Sequence, residues 1–185
     1  MSDLFTTLYG PVSDDIIQRA KQIKLLICDV DGVFSDARIY LGNNGEELKA
    51  FNTLDGFGVK AIQSAGIDVA VITGRHSKLV EQRMQSLTVK HIYQGQENKL
   101  AAYQQLLSKL SLTPPQVAYI GDDIPDLAVM AQVGFSISVP DGHPYVKNKA
   151  HYMTQRRGGF GAVRELCDLL LITQGHFNQF DGSSS

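Results

Sequence analysis

Two aspartates, Asp29 and Asp31, stand one residue apart where the apolar run of "KLLICDVDGV" ends. Charge at the tip of a segment that reads as buried is rare unless it is paired or bound to metal. Two later apolar runs end in a similar way. "VAVIT" delivers Thr73, then Gly74 and Arg75, while "VAYIG" delivers Asp122, Asp123 and Asp126, and Lys99 opens the segment between them. Taken singly, each group has an ordinary explanation as a helix cap or a solvated charge at a helix start. Together and in this order they form the set that phosphoryl transfer requires.

A carboxylate that attacks a phosphate monoester meets like charge, so a Mg2+ must bridge it to a phosphate oxygen and further carboxylates must hold the ion. Asp29 and Asp122 are the candidates. Charge on the equatorial phosphate oxygens calls for fixed donors, which the Thr73 hydroxyl, the backbone at Gly74 and the Lys99 ammonium can supply. The leaving alkoxide needs a proton, and Asp31, two residues beyond the nucleophile, is the candidate acid. The stretch "FNTLDGFGVK" adds Asn52, Thr53, Asp55 and Gly56, small, polar or flexible groups that return to the same edge; they serve equally well as a turn capping the next helix. His76, His143 and His151 lack metal-ligand spacing and are expected in loops or at the surface.

Elements of two alternating periods must position these groups. Leu25, Leu26, Ile27, Cys28 and Val30 form a continuous apolar run, as in a parallel strand covered on both faces. Ser13 is expected to cap a helix over 14–22 before it. After Asp31 come two strand-like runs, "ARIYL" and "ELKAF", around an Asn-Gly turn signal, which predicts an inserted β-hairpin. From Asp55 onward helix and strand alternate: helix 56–64, strand 68–73, helix 77–85, strand 91–93, helix 98–110, strand 117–122, helix 125–131, strand 135–139 and a last helix 162–173. The expectation is an α/β fold, a doubly wound parallel sheet of Rossmann type with helices on both faces, in one domain over 1–175. Such sheets bind ligands outside the carboxyl ends of their strands, where the polar groups fall. The polar residues 176–185 are expected to be disordered, and deletion beyond Leu171 to change little.

"DVDGV", "VITGR", the downstream Lys99 and "GDDIPD" resemble the four motifs of the haloacid dehalogenase superfamily of phosphatases. "RIYLGNNGEELKAFNTLDGFGVK", "YQGQENK" and "RRGGFGAVRELCDLLL" extend the likeness over nearly the whole chain, to capless members acting on an acidic sugar phosphate. This resemblance implies Mg2+ dependence, a homotetramer joined through the hairpins, and a place in lipopolysaccharide precursor synthesis. It further implies that Asp29 becomes an aspartyl phosphate and ligates the metal, that Asp31 is acid and base and offers its carbonyl to the metal, and that Asp122 is the acidic ligand. Of Asp123 and Asp126, one would hold a metal-bound water and the other cap a helix. Thr73 and Lys99 match phosphate binders, and Gly74 and Arg75 match substrate contacts. Asn52, Thr53, Asp55, Gly56 and Lys60 would face the sugar, and Arg156 and Arg157 would form a mobile cationic segment lent by a neighbouring subunit.

Composition excludes some classes and leaves others. The chain has 185 residues and a formal net charge of -2, without a basic run beyond Arg156-Arg157, so no electrostatic footprint for nucleic acid is expected. No apolar stretch reaches membrane-spanning length and the first residues lack the pattern of a signal peptide, so a soluble, cytoplasmic protein without membrane partners is expected. Cys28 and Cys167 suit a reducing compartment as small core residues. A phosphorelay receiver would also combine aspartates, a Thr and a Lys, but with its acceptor aspartate alone on a later strand. A noncatalytic assembly protein would be favoured by a degraded motif, and none is degraded.

Overall fold

The computed structural model describes residues 4–180. Its centre is β3 (Leu25–Cys28), every residue of which is buried. On one side β3 pairs in parallel with β6 (Asp68–Ile72) and then β7 (His91–Tyr93); on the other lie β8 (Val117–Ile120), β9 (Phe135–Ser138) and β10 (Tyr152–Met153). The chain therefore runs outward through β6 and β7, returns beside β3 as β8, and continues outward the other way. That reversal leaves a crevice at the carboxyl ends of β3 and β8, the place where such sheets bind ligands.

Alternation along the strands separates the two faces of the core. Leu26, Cys28, Val69, Val71, Ala118 and Ile120 pack toward α1 (Asp14–Lys21), α2 (Thr53–Ser64), α3 (Lys78–Ser86) and α7 (Ala162–Thr173). Leu25, Ile27, Ala70, Ile72, Val117 and Tyr119 pack toward α4 (Lys99–Leu110), α5 (Leu127–Met130) and α6 (Pro144–Lys147). α7 carries the broadest apolar face, with Val163, Leu166, Leu169 and Leu170 enclosed, and each such side chain contributes roughly 1.5–3 kcal/mol relative to exposure. Cys28 and Cys167 are both buried free thiols, as expected of core residues.

Several boundaries differ from expectation for local reasons. α2 begins at Thr53, because Asn52 caps it by accepting from the Leu54 N–H at 2.9 Å. The inserted hairpin keeps only two residues per strand, β4 (Tyr40–Leu41) and β5 (Glu47–Leu48), since Lys49 leaves the ladder to pair with Asp31. The helix expected at 125–131 divides into a 3-10 turn, Ile124–Asp126, and the short α5. Two features were not foreseen: the N-terminal hairpin of β1 (Leu4–Thr7) and β2 (Gly10–Ser13), and the α6–β10 pair. Of the tail expected to be disordered from 176, Phe177–Phe180 form a 3-10 turn with Phe177 packed on the core, and residues 181–185 lie outside those described. Beyond Leu171, the Gln174 amide also donates to the carbonyls of Ala20 and Ile23 at 3.0 and 2.9 Å, closing the end of α1. Among the described residues no helix is long and apolar enough to cross a membrane.

Candidate active site

Three strand ends and one helix start bring the polar groups together. Asp29 follows β3, Thr73 follows β6, Asp122 follows β8, and Lys99 is the first residue of α4. A cavity of about 310 Å³ is lined by Asp29, Asp31, Ala37, Thr73, Gly74, Arg75, Lys99, Asp122, Asp123, Pro125 and Asp126. Nine of the residues singled out by sequence thus share one space. The turn after β3 is tight: Gly32 has φ +92, and a Cβ there would collide with the Asp122 carboxylate, so the glycine lets the two loops touch.

Asp29 is held from two sides. Its Oδ1 accepts from the Val30 N–H at 2.7 Å and pairs with Lys99 Nζ at 2.9 Å, which leaves Oδ2 without a hydrogen bond among the described residues. Burial, then the charge of Asp126, pushes its carboxyl up to about 7 against the pull of Lys99. Asp122 is pushed to about 8 by burial and then by the charge of Asp29, Asp126 and Asp123. Lys99 is raised, because the attraction of Asp29 and Asp126 outweighs its burial.

Asp126 and Asp123 have different partners. Asp126 is fully buried, and both its oxygens are committed: Oδ1 accepts from Lys99 Nζ at 2.7 Å and from the Tyr119 hydroxyl at 2.6 Å, while Oδ2 accepts from the N–H groups of Asp122 and Asp123 at 3.0 and 3.1 Å. It anchors Lys99 and shapes the loop. Asp123 is exposed and caps the 3-10 turn through the Ile124 N–H at 2.8 Å.

The donor set fits a hard dication. Ligand oxygens of Asp29, Asp122 and Asp126 lie within 4.8 Å of one another, no histidine or thiolate is among them, and burial, then the charge of neighbouring aspartates, pushes the Asp29 and Asp122 carboxyls toward protonation. Since the Asp126 oxygens are saturated, Asp29 and Asp122 are the carboxylates free to hold Mg2+.

Asp31 sits nearer the mouth. Its Oδ1 accepts from Ser35 Oγ at 3.3 Å and from Lys49 Nζ, and its Oδ2 lies 3.9 Å from Arg75 Nε. Lys49 and Tyr119 were not among the residues singled out. The only signal for Tyr119 was a polar tip in an aliphatic strand, which needs a partner when buried; Lys49 gave none, because its role arises from the fold of the hairpin.

The remaining expected contacts lie elsewhere. Asn52 caps α2, Thr53 and Lys60 are exposed on that helix, and Gly56 packs under Arg83, all outside this chain's cavity. Asp55 is buried and accepts from the Arg164 N–H at 2.8 Å, capping α7. Burial pushes its carboxyl up to about 6 despite that bond and the nearby arginines. Arg156 and Arg157 were expected in a mobile segment, yet the segment is docked on its own chain. Glu165, wholly enclosed, accepts from the N–H groups of Gln155 and Arg156 at 2.8 Å each, and Arg157 pairs with Asp141 at 3.2 Å. Gly158 lies on the Gly32 carbonyl so closely that any Cβ would collide with it. His76, His143 and His151 are exposed.

Comparison with known proteins agrees with this geometry. The family of haloacid dehalogenase-like hydrolases matches residues 89–163. The 3-deoxy-D-manno-octulosonate 8-phosphate phosphatase of Yersinia pestis is 60% identical over 168 residues, 91% of this chain and 90% of that protein. A crystal structure of the phosphatase of that name from Yersinia pestis superposes with a TM-score of 0.95 at 57% identity, covering 96% of each chain. The Moraxella catarrhalis phosphatase, solved with magnesium, phosphate and a KDO molecule, superposes at 0.89 with 46% identity over 90% of this chain and 96% of that one. Likeness of this extent, on a sheet edge that already assembles five carboxylates, a threonine and a buried lysine, leaves one conclusion: the chain belongs to the 3-deoxy-D-manno-octulosonate 8-phosphate phosphatases of the haloacid dehalogenase-like hydrolases.

Proposed function

We propose that the chain hydrolyses 3-deoxy-D-manno-octulosonate 8-phosphate to the free sugar acid and inorganic phosphate, with Mg2+ as its cofactor, in the cytoplasmic synthesis of lipopolysaccharide precursors. The observation that carries this reading is the buried Asp29–Lys99–Asp126 cluster beside Asp31 and Asp122 at the sheet's switch point. Mg2+ bound by Asp29 and Asp122, with the Asp31 carbonyl, would neutralise charge between nucleophile and phosphate.

The protein groups divide the reaction into two displacements. Asp29 attacks phosphorus, the bond to the ester oxygen breaks, and Asp31 gives its proton to the leaving alkoxide. Thr73, the backbone at Gly74 and Lys99 hold the equatorial oxygens as charge develops. Water then attacks the aspartyl phosphate, Asp31 takes its proton, and phosphate departs with the Asp29 carboxylate restored. Arg75, half exposed at the mouth, would meet the sugar.

Self-association as a homotetramer belongs to this reading. Tyr40, Leu41 and Leu48 expose large apolar surface on a two-stranded ribbon that has little else to pack on. Asn52, Thr53, Asp55, Gly56, Lys60, Arg156 and Arg157 lie outside this chain's cavity, so any contact with substrate would be made across a subunit interface.

Phosphate release from a panel of acidic and neutral sugar phosphates tests the function. The expected result is a kcat/KM for the eight-carbon sugar acid phosphate at least about tenfold above the others; a neutral hexose phosphate turned over equally well overturns it.

A further inference from the structure

The mouth of the cavity holds four charges in a closed alternating ring. Lys49 Nζ is hydrogen-bonded to Asp31 Oδ1 and lies 3.8 Å from Glu47 Oε1; Arg75 lies 3.6 Å from Glu47 Oε2 and 3.9 Å from Asp31 Oδ2. Only the first of these contacts is a hydrogen bond. The Lys49 side chain has no exposed surface, yet of its three donors only one finds a partner among the described residues. Glu47 Oε1 is buried and accepts no hydrogen bond among the described residues. A buried ammonium with unmet donors facing, at 3.8 Å, the buried oxygen of a partly exposed carboxylate is an incompletely satisfied pair, and such pairs are costly.

An incoming anion would complete it. Asp31 is the acid for the leaving oxygen, so whatever lies beyond Asp31 contacts the leaving group and not the phosphate. Lys49 and Arg75 are the two cations there, on separate elements: the strand end after Glu47 and the loop after β6. We infer that Lys49 and Arg75 together form a specificity site for a carboxylate on the leaving group, and that Glu47 occupies this site until substrate displaces it. The inference rests on the reading of the substrate as a sugar acid phosphate. Lys49 is the new member of the pair. It selects the acid, while Glu47 raises the barrier to ligands that bring no negative charge to exchange with it.

The test compares two substrates of equal length, a sugar acid phosphate and the analogue with a hydroxymethyl group in place of the carboxylate. Wild type is expected to prefer the acid. Lys49→Met, which keeps the apolar stem, should lower the acid-to-neutral ratio of kcat/KM by about tenfold to a hundredfold, the range of one charge-assisted hydrogen bond, chiefly through KM for the acid. Lys49→Arg should retain most of the preference, and Glu47→Gln should lower KM for the acid. Circular dichroism and melting curves establish that each variant is folded. If wild type prefers the acid and Lys49→Met keeps that preference, with both substrates slowed equally, Lys49 acts only on Asp31 and the specificity site is overturned. If Glu47→Gln raises KM for the acid, the exchange is overturned. A wild type without preference overturns the substrate reading instead, before any variant is measured.

Discussion

At the scale of single residues, Asp29 and Asp126 are both buried carboxylates bonded to Lys99, yet their surroundings give them different work. Among the described residues, Asp29 retains one oxygen without a hydrogen bond, and Asp126 retains none. Asp29→Asn should therefore preserve the fold and reduce kcat by at least about a thousandfold, the scale of losing a covalent step; a variant keeping a tenth of wild-type turnover would refute the nucleophile. Asp126→Ala should instead cost stability, on the order of 3–5 kcal/mol in denaturant unfolding, because Lys99 and two loop N–H groups lose their acceptor. Asp123→Ala removes only an exposed cap, at about 1 kcal/mol, and leaves kcat within an order of magnitude. Equal destabilisation by the two alanines would contradict the division of labour drawn from their hydrogen bonds.

Elements were legible in the sequence where packing on both faces imposed a pattern. β3 and β8 are buried throughout, β6 is apolar beyond Asp68 and β9 buries Phe135 and Ile137, with helices packed on both faces, so the parallel sheet could be read, and with it the edge where Asp29, Thr73 and Asp122 meet. The hairpin β1–β2 could not, because "LFTT" and "GPVS" are short, carry little apolar content and owe their place to distant contacts such as Tyr9 on Asp168 at 2.8 Å. Nor could the docking of Arg156–Gly159, whose arginines suggested a mobile cationic segment; what orders it is Glu165, an acid enclosed on the buried face of α7. Gly158 on the Gly32 carbonyl makes this strap a brace for the loop that carries Asp29 and Asp31. Gly158→Ala is expected to lower kcat at least tenfold and Tm by several degrees, as overpacking typically costs about 1–3 kcal/mol. Unchanged kinetics would mean that the strap merely covers the loop. Truncation after Leu171 should likewise lower Tm, because it strips the Gln174 donors from the end of α1 and Phe177 from the core.

For the whole molecule, the concentration of carboxylates at one sheet edge links stability to pH and to metal. Asp29 and Asp122, at about 7 and about 8, stand above their usual 3.8 because burial and then the charge of neighbouring aspartates, Asp126 above all for Asp29, oppose their charge. A raised carboxyl means that the folded metal-free protein binds more protons than the unfolded chain. The stability held by the protonated forms is complete below about 4, and it is lost as pH rises through about 7 and then about 8. Metal-free protein should accordingly melt at a lower temperature at pH 8.5 than at pH 6. Mg2+ reverses the effect, since it binds the ionised carboxylates of the folded state alone. At a hundredfold excess over Kd it contributes about 2.7 kcal/mol, or about 5–10 °C for a chain of this length, and the gain should be greater at pH 8.5 than at pH 6, where protons compete. Scanning calorimetry with and without chelator at the two pH values measures both slopes. A Mg2+ shift that is equal at pH 6 and pH 8.5 would show that the ion is held by groups other than Asp29 and Asp122.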